Sequence, residues 1–173
     1  MPRNDLEMVK CFDEEGNEIA SRTRKDVHTE PYSIWHGVTA IWILNNKNEM
    51  LCTKRGDFVE SNPGKWQVYA GGHLLSRHSF EENAYIELAE ELGLNIPLQL
   101  VCMDRKDTAK HIRAIYAARW DGEISELNFD DKEVAEARWL SFEMYEKEFE
   151  KTPLIWKNAA DKSIYRLVLE RLA

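Results

Sequence analysis

The chain has 173 residues, 43% of them hydrophobic, with six Trp, six Tyr and six Phe. That is globular rather than disordered composition, and length enough for one domain to bury a substantial core without staples. A net charge of -8 excludes a broad, salt-sensitive grip on a nucleic-acid backbone, yet allows a small phosphorylated ligand, because local charge governs such sites.

The start, MPRNDLEMVK, has no apolar signal core, and no run approaches the roughly 20 apolar residues of a membrane span. The expectation is a cytoplasmic protein with neither membrane nor nucleic-acid polymer as partner. Cys11, Cys52 and Cys102 are widely spaced, without a CxxC, and read as buried free thiols.

In chain order, residues 6 to 24 read as a hairpin turning at FDEEGNE. IWHGVTAIWIL is β-branched and apolar enough for a central strand, and NNKNE turns it into MLCTKR. DFVESNPGKW is a loop, and WQVYAGG a short strand ending at paired glycines, where the backbone is free to take unusual angles. A helix follows: Ser79 caps it, Glu82 completes a capping box, and Ala84, Leu88 and Leu92 form its buried stripe. Gly93 and Pro97 end it. PLQLVCMD, HIRAIYAARW and EARWLS read as strands, with the acidic loop DGEISELNFDDKE before the last. Two helical patterns close the chain, between about 141 and 173. The fold class expected is α/β, a sandwich with a mixed sheet. Trp42, Trp120 and Trp139 fall in strand patterns and read as core; Trp35, Trp66 and Trp156 are less constrained.

The helix poses an electrostatic problem. Glu81 and Glu82 lie in its first turn, where the dipole favours them. Glu87, Glu90 and Glu91 share an edge about 100° wide in the last two turns, where the dipole opposes them, and residues 79–104 contain no Lys or Arg. Each like-charge pair costs about 0.2–0.5 kcal/mol. A solvated acidic face would tolerate that cost. The edge borders the apolar stripe, however, and a divalent cation such as Mg²⁺ or Mn²⁺ would remove the repulsion, since such ions take closely spaced hard oxygen ligands.

Gly72 to Leu94 resembles the Nudix box: Gly72, Glu87, Leu88, Glu90, Glu91, Gly93 and Leu94 fall on its pattern at the right spacing. His78 stands where the first Glu belongs and Ile86 where the Arg belongs. CFDEEGNEIASRTR, WHGVTAIWILNNKNEMLCTKRG, PGKWQ, GGH and EARWLS extend the resemblance to the branch related to isopentenyl-diphosphate isomerase. The resemblance implies a Nudix α/β/α sandwich that hydrolyses a diphosphate bond in a nucleoside diphosphate derivative or related pyrophosphate. It implies Glu87, Glu90 and Glu91 as ligands of Mg²⁺ or Mn²⁺, with Glu90, Glu91 or loop residue Glu133 in the catalytic role; Asp130 and Asp131 compete with Glu133. Arg55 matches a strand-end Arg that contacts diphosphate, its alternative being a surface Arg. Family likeness also raises a homodimer, with the N-terminal hairpin as candidate contact.

The family's Arg orients the box carboxylates, which Ile86 cannot do, so a noncatalytic nucleotide-binding or partner-binding domain is the rival reading. His78 is either a substitute ligand or base, or a solvent-exposed residue leading the helix. The isomerases use a metal held by several His and Glu, and His28, His36 and His73 fall near their His positions. Ordinary hydrogen-bonded histidines are the default for those three. Gly71 replaces the isomerase Cys, and AKHIRAIYAAR lacks the acidic pair, so the acid and base that isomerisation needs are both missing.

Overall fold

The computed structural model describes residues 5–59, 61–129 and 133–173. Its strands are β1 (Met8–Phe12), β2 (Glu18–Thr23), β3 (Trp35–Leu44), β4 (Met50–Arg55), β5 (Trp66–Gln67), β6 (Gln99–Lys106), β7 (His111–Arg119) and β8 (Val134–Leu140). The helices are α1 (Arg24–Val27), α2 (Phe80–Leu92), α3 (Phe142–Lys151) and α4 (Lys162–Arg171).

All eight strands join one mixed sheet centred on β3. On one edge β3 pairs in parallel with β7 from His36↔His111 to Leu44↔Arg119, and β6 lies beyond β7. The other edge of β3 is shared. β1 pairs with its start and β4 with its end. Between them, the run from β5 onward stitches the sheet together, pairing with β4 at Thr53↔Gln67, with β3 at Ile41↔Ala70 and Val38↔His73, and with β1 at Val9↔Leu75.

The alternation of β3 makes the sandwich. Ala40, Trp42 and Leu44 face a core closed by Phe142, Tyr145, Ile164 and Val168 of α3 and α4. Ile41 and Ile43 face the opposite core, closed by Ala84, Leu88 and Leu92 of α2. A strand buried on both faces needs apolar residues at successive positions, which IWHGVTAIWIL supplies.

α2 begins as its sequence dictates. Ser79 Oγ accepts from the Glu82 N–H at 3.2 Å, and a Glu82 carboxylate oxygen accepts from the Ser79 N–H at 2.8 Å. It ends at Gly93 in the left-handed region (φ 67°). Asn83 pins the N-terminal end of α2 to the sheet: its side-chain oxygen accepts from the Leu75 N–H, and its amide donates to Thr39 Oγ.

The structure departs from the sequence expectations in three places. The N-terminal hairpin leads into α1, capped by Thr23, where a capping box with Asp26 makes one helical turn just past the segment read as a hairpin, a turn the sequence reading had not included. Trp120 and Trp139 pack against each other at a 34° tilt, ring centroids 5.8 Å apart, while only partly buried, whereas Trp35 and Trp156 are buried. Cys102 is half-buried rather than buried, because β6 is paired on one side alone. Among the described residues, no helix is long and apolar enough to cross a membrane.

Leu88 is fully buried between α2 and the sheet. Leu88→Ala is expected to lower unfolding free energy by about 2–5 kcal/mol, measured as a shift in urea midpoint at unchanged slope.

Candidate functional site

The site forms where the C-terminal half of α2 crosses the paired glycines. Gly71 has φ 131°, and a Cβ there would lie 2.2 Å from the Thr39 carbonyl oxygen, so no side chain fits. Its N–H donates to Glu91 Oε2 at 2.9 Å. A Cβ on Gly72 would lie 2.5 Å from Glu87 Oε1. Two bare backbone positions thus let two carboxylates of one helix close on the sheet.

Of the three predicted box acids, Glu91 is buried, Glu87 half-buried and Glu90 exposed. Burial raises the Glu87 pKa well above its ordinary value, and the charges of Glu91, Glu90 and Glu133 raise it further. Glu91 is pushed up to about 7, chiefly by burial; the Gly71 N–H, Lys157 and Arg55 oppose the shift, while Glu133 adds to it. Two carboxylates that hold protons this tightly are poorly compensated negative charges.

Glu133 immediately precedes β8, and its carbonyl accepts from the Gly56 N–H at 2.9 Å, which brings it beside the end of β4. Arg55 ends β4, and its side-chain N–H donates to the Ser61 carbonyl at 2.8 Å. Burial lowers the Arg55 pKa, against the pull of Glu91 and Glu133. The fold therefore brings Glu87, Glu91, Glu133 and Arg55 together, with Glu90 on the solvent side of the group. Asp130 and Asp131 lie outside the described residues.

His78 sits elsewhere. It accepts from Arg77 at 3.2 Å and lies before the first turn of α2, about 13 Å along the axis from Glu87. Ile86 leaves α2 without a cation, and the countercharge comes from distant segments. Lys157, just beyond α3, has its pKa lowered to about 8, mainly by burial and then by Arg55, while Glu91 pulls it back up. Arg24 opposes the rise at Glu87 and is itself paired with Glu7 at 3.2 Å. Sequence reasoning missed both, because nothing local ties either to an acid about 65 residues away.

His28, His36 and His73 also converge, offering ligand atoms within 4.8 Å of one another. Burial lowers the pKa of His36 and His73, so both imidazoles are neutral at pH 7.

A family model described as NUDIX domain matches residues 35–161. An uncharacterized Nudix hydrolase of Clostridium acetobutylicum is 32% identical over 92 residues, covering 51% of this chain and 43% of that protein. An isopentenyl-diphosphate Delta-isomerase of Corynebacterium diphtheriae is 29% identical over 92 residues, covering 53% of this chain and 50% of the isomerase. The match thus spans about half the length of these relatives. A crystal structure from Deinococcus radiodurans superposes over 96% of this chain and 100% of its own, with a TM-score of 0.73 at 18% identity.

A carboxylate whose folded pKa is raised binds its proton more tightly folded than unfolded. The resulting stability is complete below the ordinary value of 4.5 and is lost as pH rises through about 7. In chelator, the melting temperature of the protein should fall between pH 4.5 and 7, and Glu91→Gln should flatten most of that slope.

Proposed function

The chain belongs to the Nudix family, and from that premise we propose that it is a pyrophosphohydrolase acting on a nucleoside diphosphate derivative or related pyrophosphate, with Mg²⁺ or Mn²⁺ as cofactor. The observation that carries the reading is the closure of Glu87 and Glu91 onto the bare backbone of Gly71 and Gly72. Hard oxygen donors, crowded and poorly neutralised, fit a divalent cation of this kind. Glu87 and Glu91 are its proposed principal ligands, with Glu90 adding a carboxylate from the solvent side. Such a cation, when bound, offsets phosphate charge and eases deprotonation of water.

The protein's own groups account for the rest of the proposal. Arg55 and Lys157 present positive charge beside the carboxylates, where they can hold the diphosphate and stabilise charge on the departing phosphate. Glu133 is the proposed acceptor of the proton from the attacking water, placed by its backbone bond to Gly56. Fixed donors in a partly dry site do this without reorganising as the reaction proceeds.

A phosphate-release screen over nucleoside diphosphate derivatives, with and without Mg²⁺, tests the assignment. The expected result is Mg²⁺-dependent release that Glu91→Gln lowers by about 10²–10³ in kcat, the usual scale for losing one preorganised electrostatic group. Equal residual release in that variant would leave a noncatalytic nucleotide-binding domain, the reading favoured by Ile86 and His78. Arg55→Ala should act mainly on KM, raising it on the order of tenfold, or about 1.4 kcal/mol of ground-state binding. Isopentenyl diphosphate should yield no isomer, since position 71 cannot accept a side chain and β7 carries no carboxylate.

A further inference from the structure

The sheet face that α3 and α4 cover continues past them toward the start of β3, and register places its side chains. Val38 points to the same face as Ala40 and Trp42, by the alternation of β3. Val38 is the in-register partner of Arg113 on β7, and Arg113 that of Asp104 on β6. On the other side of β3, the run after β5 bonds at Ile41↔Ala70 and Val38↔His73, which sets Gly71 beside Ala40 and Tyr69 beside Trp42. The Tyr69 and Trp42 ring centroids are 6.5 Å apart. The Trp42 and Val38 levels are separated by ~13 Å at the rise of a strand. Tyr69, Val38, Arg113 and Asp104 are all half-buried, since α3 and α4 close over Trp42 and Leu44 instead. A groove therefore runs from Tyr69, past the bare backbone of Gly71, to Arg113.

The cations along this groove are of two kinds. At the Tyr69 end, the Lys157 ammonium lies 5.8 Å from the Tyr69 ring centroid and 3.5 Å from Gln67 Oε1. Arg55 repels it and Glu91 answers it only in part, so this end suits an added anion. At the other end, Arg113 Nε donates to Asp104 Oδ1 at 2.7 Å, and Arg113 Nη2 donates to Asp104 Oδ2. Asp104 strengthens the hold of Arg113 on its proton, and the neighbouring Tyr69 and Asp161 add to that. The fork is a matched ion pair with no net charge. Its remaining nitrogen, Nη1, carries N–H donors suited to a neutral acceptor.

We propose that Tyr69 and Arg113 are specificity residues for the group attached to the diphosphate: Tyr69 stacks on a nucleobase, and Arg113 Nη1 donates to a carbonyl or ring nitrogen on its edge. The inference rests on the pyrophosphohydrolase reading, which puts the diphosphate at Arg55 and Lys157. It adds the direction of the substrate, with the base toward β7. Stacking on an aromatic side chain accepts any base, whereas a guanidinium reads acceptor atoms on the base edge. An isoprenyl chain on the same path would cover the Arg113–Asp104 pair and offer its donors no acceptor, which disfavours it. A second anionic group would meet Asp104 and Asp161 together with Arg113. Asp104 is a positioning residue, holding the plane of the guanidinium and cancelling its charge.

The test measures binding to the full chain by calorimetry, in Mg²⁺, of two probes that cannot be hydrolysed: α,β-methylene-ADP, and methylenediphosphonate, which lacks the nucleoside. Wild type should bind the nucleotide analogue at least about tenfold more tightly. Tyr69→Leu should weaken the analogue by about fivefold or more, the low end of one base–aromatic stack, while Tyr69→Phe keeps its affinity. Arg113→Gln should weaken it by a similar factor. Neither loss should extend to methylenediphosphonate, whereas a merely structural role would move both probes together. Asp104→Asn, by leaving the Arg113 charge unmatched, should tighten methylenediphosphonate and narrow the gap between the probes. Circular dichroism checks each variant's fold. If Arg113→Gln unfolds, Arg113→Lys, which keeps the charge and loses the fork, replaces it with the same expectation. Equal affinity of wild type for the two probes, or parallel losses for both in Tyr69→Leu and Arg113→Gln, would overturn the subsite. Selective binding in a chain that releases no phosphate from any nucleotide would uphold the subsite and remove the hydrolase reading instead.

Discussion

The Glu91 carboxylate accepts a hydrogen bond from the Gly71 N–H, and the site described above depends on that close approach of helix to strand. It demands a glycine at 71, where the carbonyl of Thr39 occupies the space a side chain would need, and the bare backbone at 72 lets the Glu87 carboxylate settle against it. It also fixes the height of α2 over β3, which Asn83 secures from the other end of the helix through Thr39 and Leu75. A side chain at 71 would run into the backbone of Thr39 and Ala40 in β3. The glycine pair therefore leaves room for both carboxylates against the backbone.

Charge balance follows from that geometry. α2 gains nothing from its own dipole at Glu87, Glu90 and Glu91, and Ile86 removes the cation that a Nudix helix usually carries. Arg55, Lys157 and Arg24 approach from β4, from the segment after α3 and from α1. They moderate the repulsion without cancelling it, since both buried acids keep raised pKa values. A carboxylate pair in this state gains more from a divalent cation than a pair already matched by fixed arginines.

Much of this was legible in the sequence where the cause is local. The Ser79–Glu82 capping box, the Gly93 terminus and the Ala84–Leu88–Leu92 stripe rest on contacts within a few residues, and the structure carries each of them. The box spacing, being a property of one helix, located Glu87 and Glu91 without reference to the rest of the chain. Lys157 and Arg24 were invisible because their contribution depends on chain crossings far away in sequence. Arg113 was passed over for the same reason: the parallel pairing of β7 with β3 sets it beside Val38, and no local pattern announces that register. α1 went unread because one capped turn is shorter than any helical periodicity.

The β3–β7 pairing has a further bearing, on how the protein is made. β3 is the most apolar strand, and its parallel partner is completed only about 75 residues later in the chain. At ribosomal rates of about 5–20 residues per second, one edge of β3 waits roughly 4–15 s for β7 to be synthesised. The antiparallel β6–β7 ladder is local and forms quickly once its residues exist, whereas closing β3 onto β7 raises the contact order and slows the final step. During that interval the nascent chain presents an apolar strand edge, the kind of surface that aggregates and that chaperones cover.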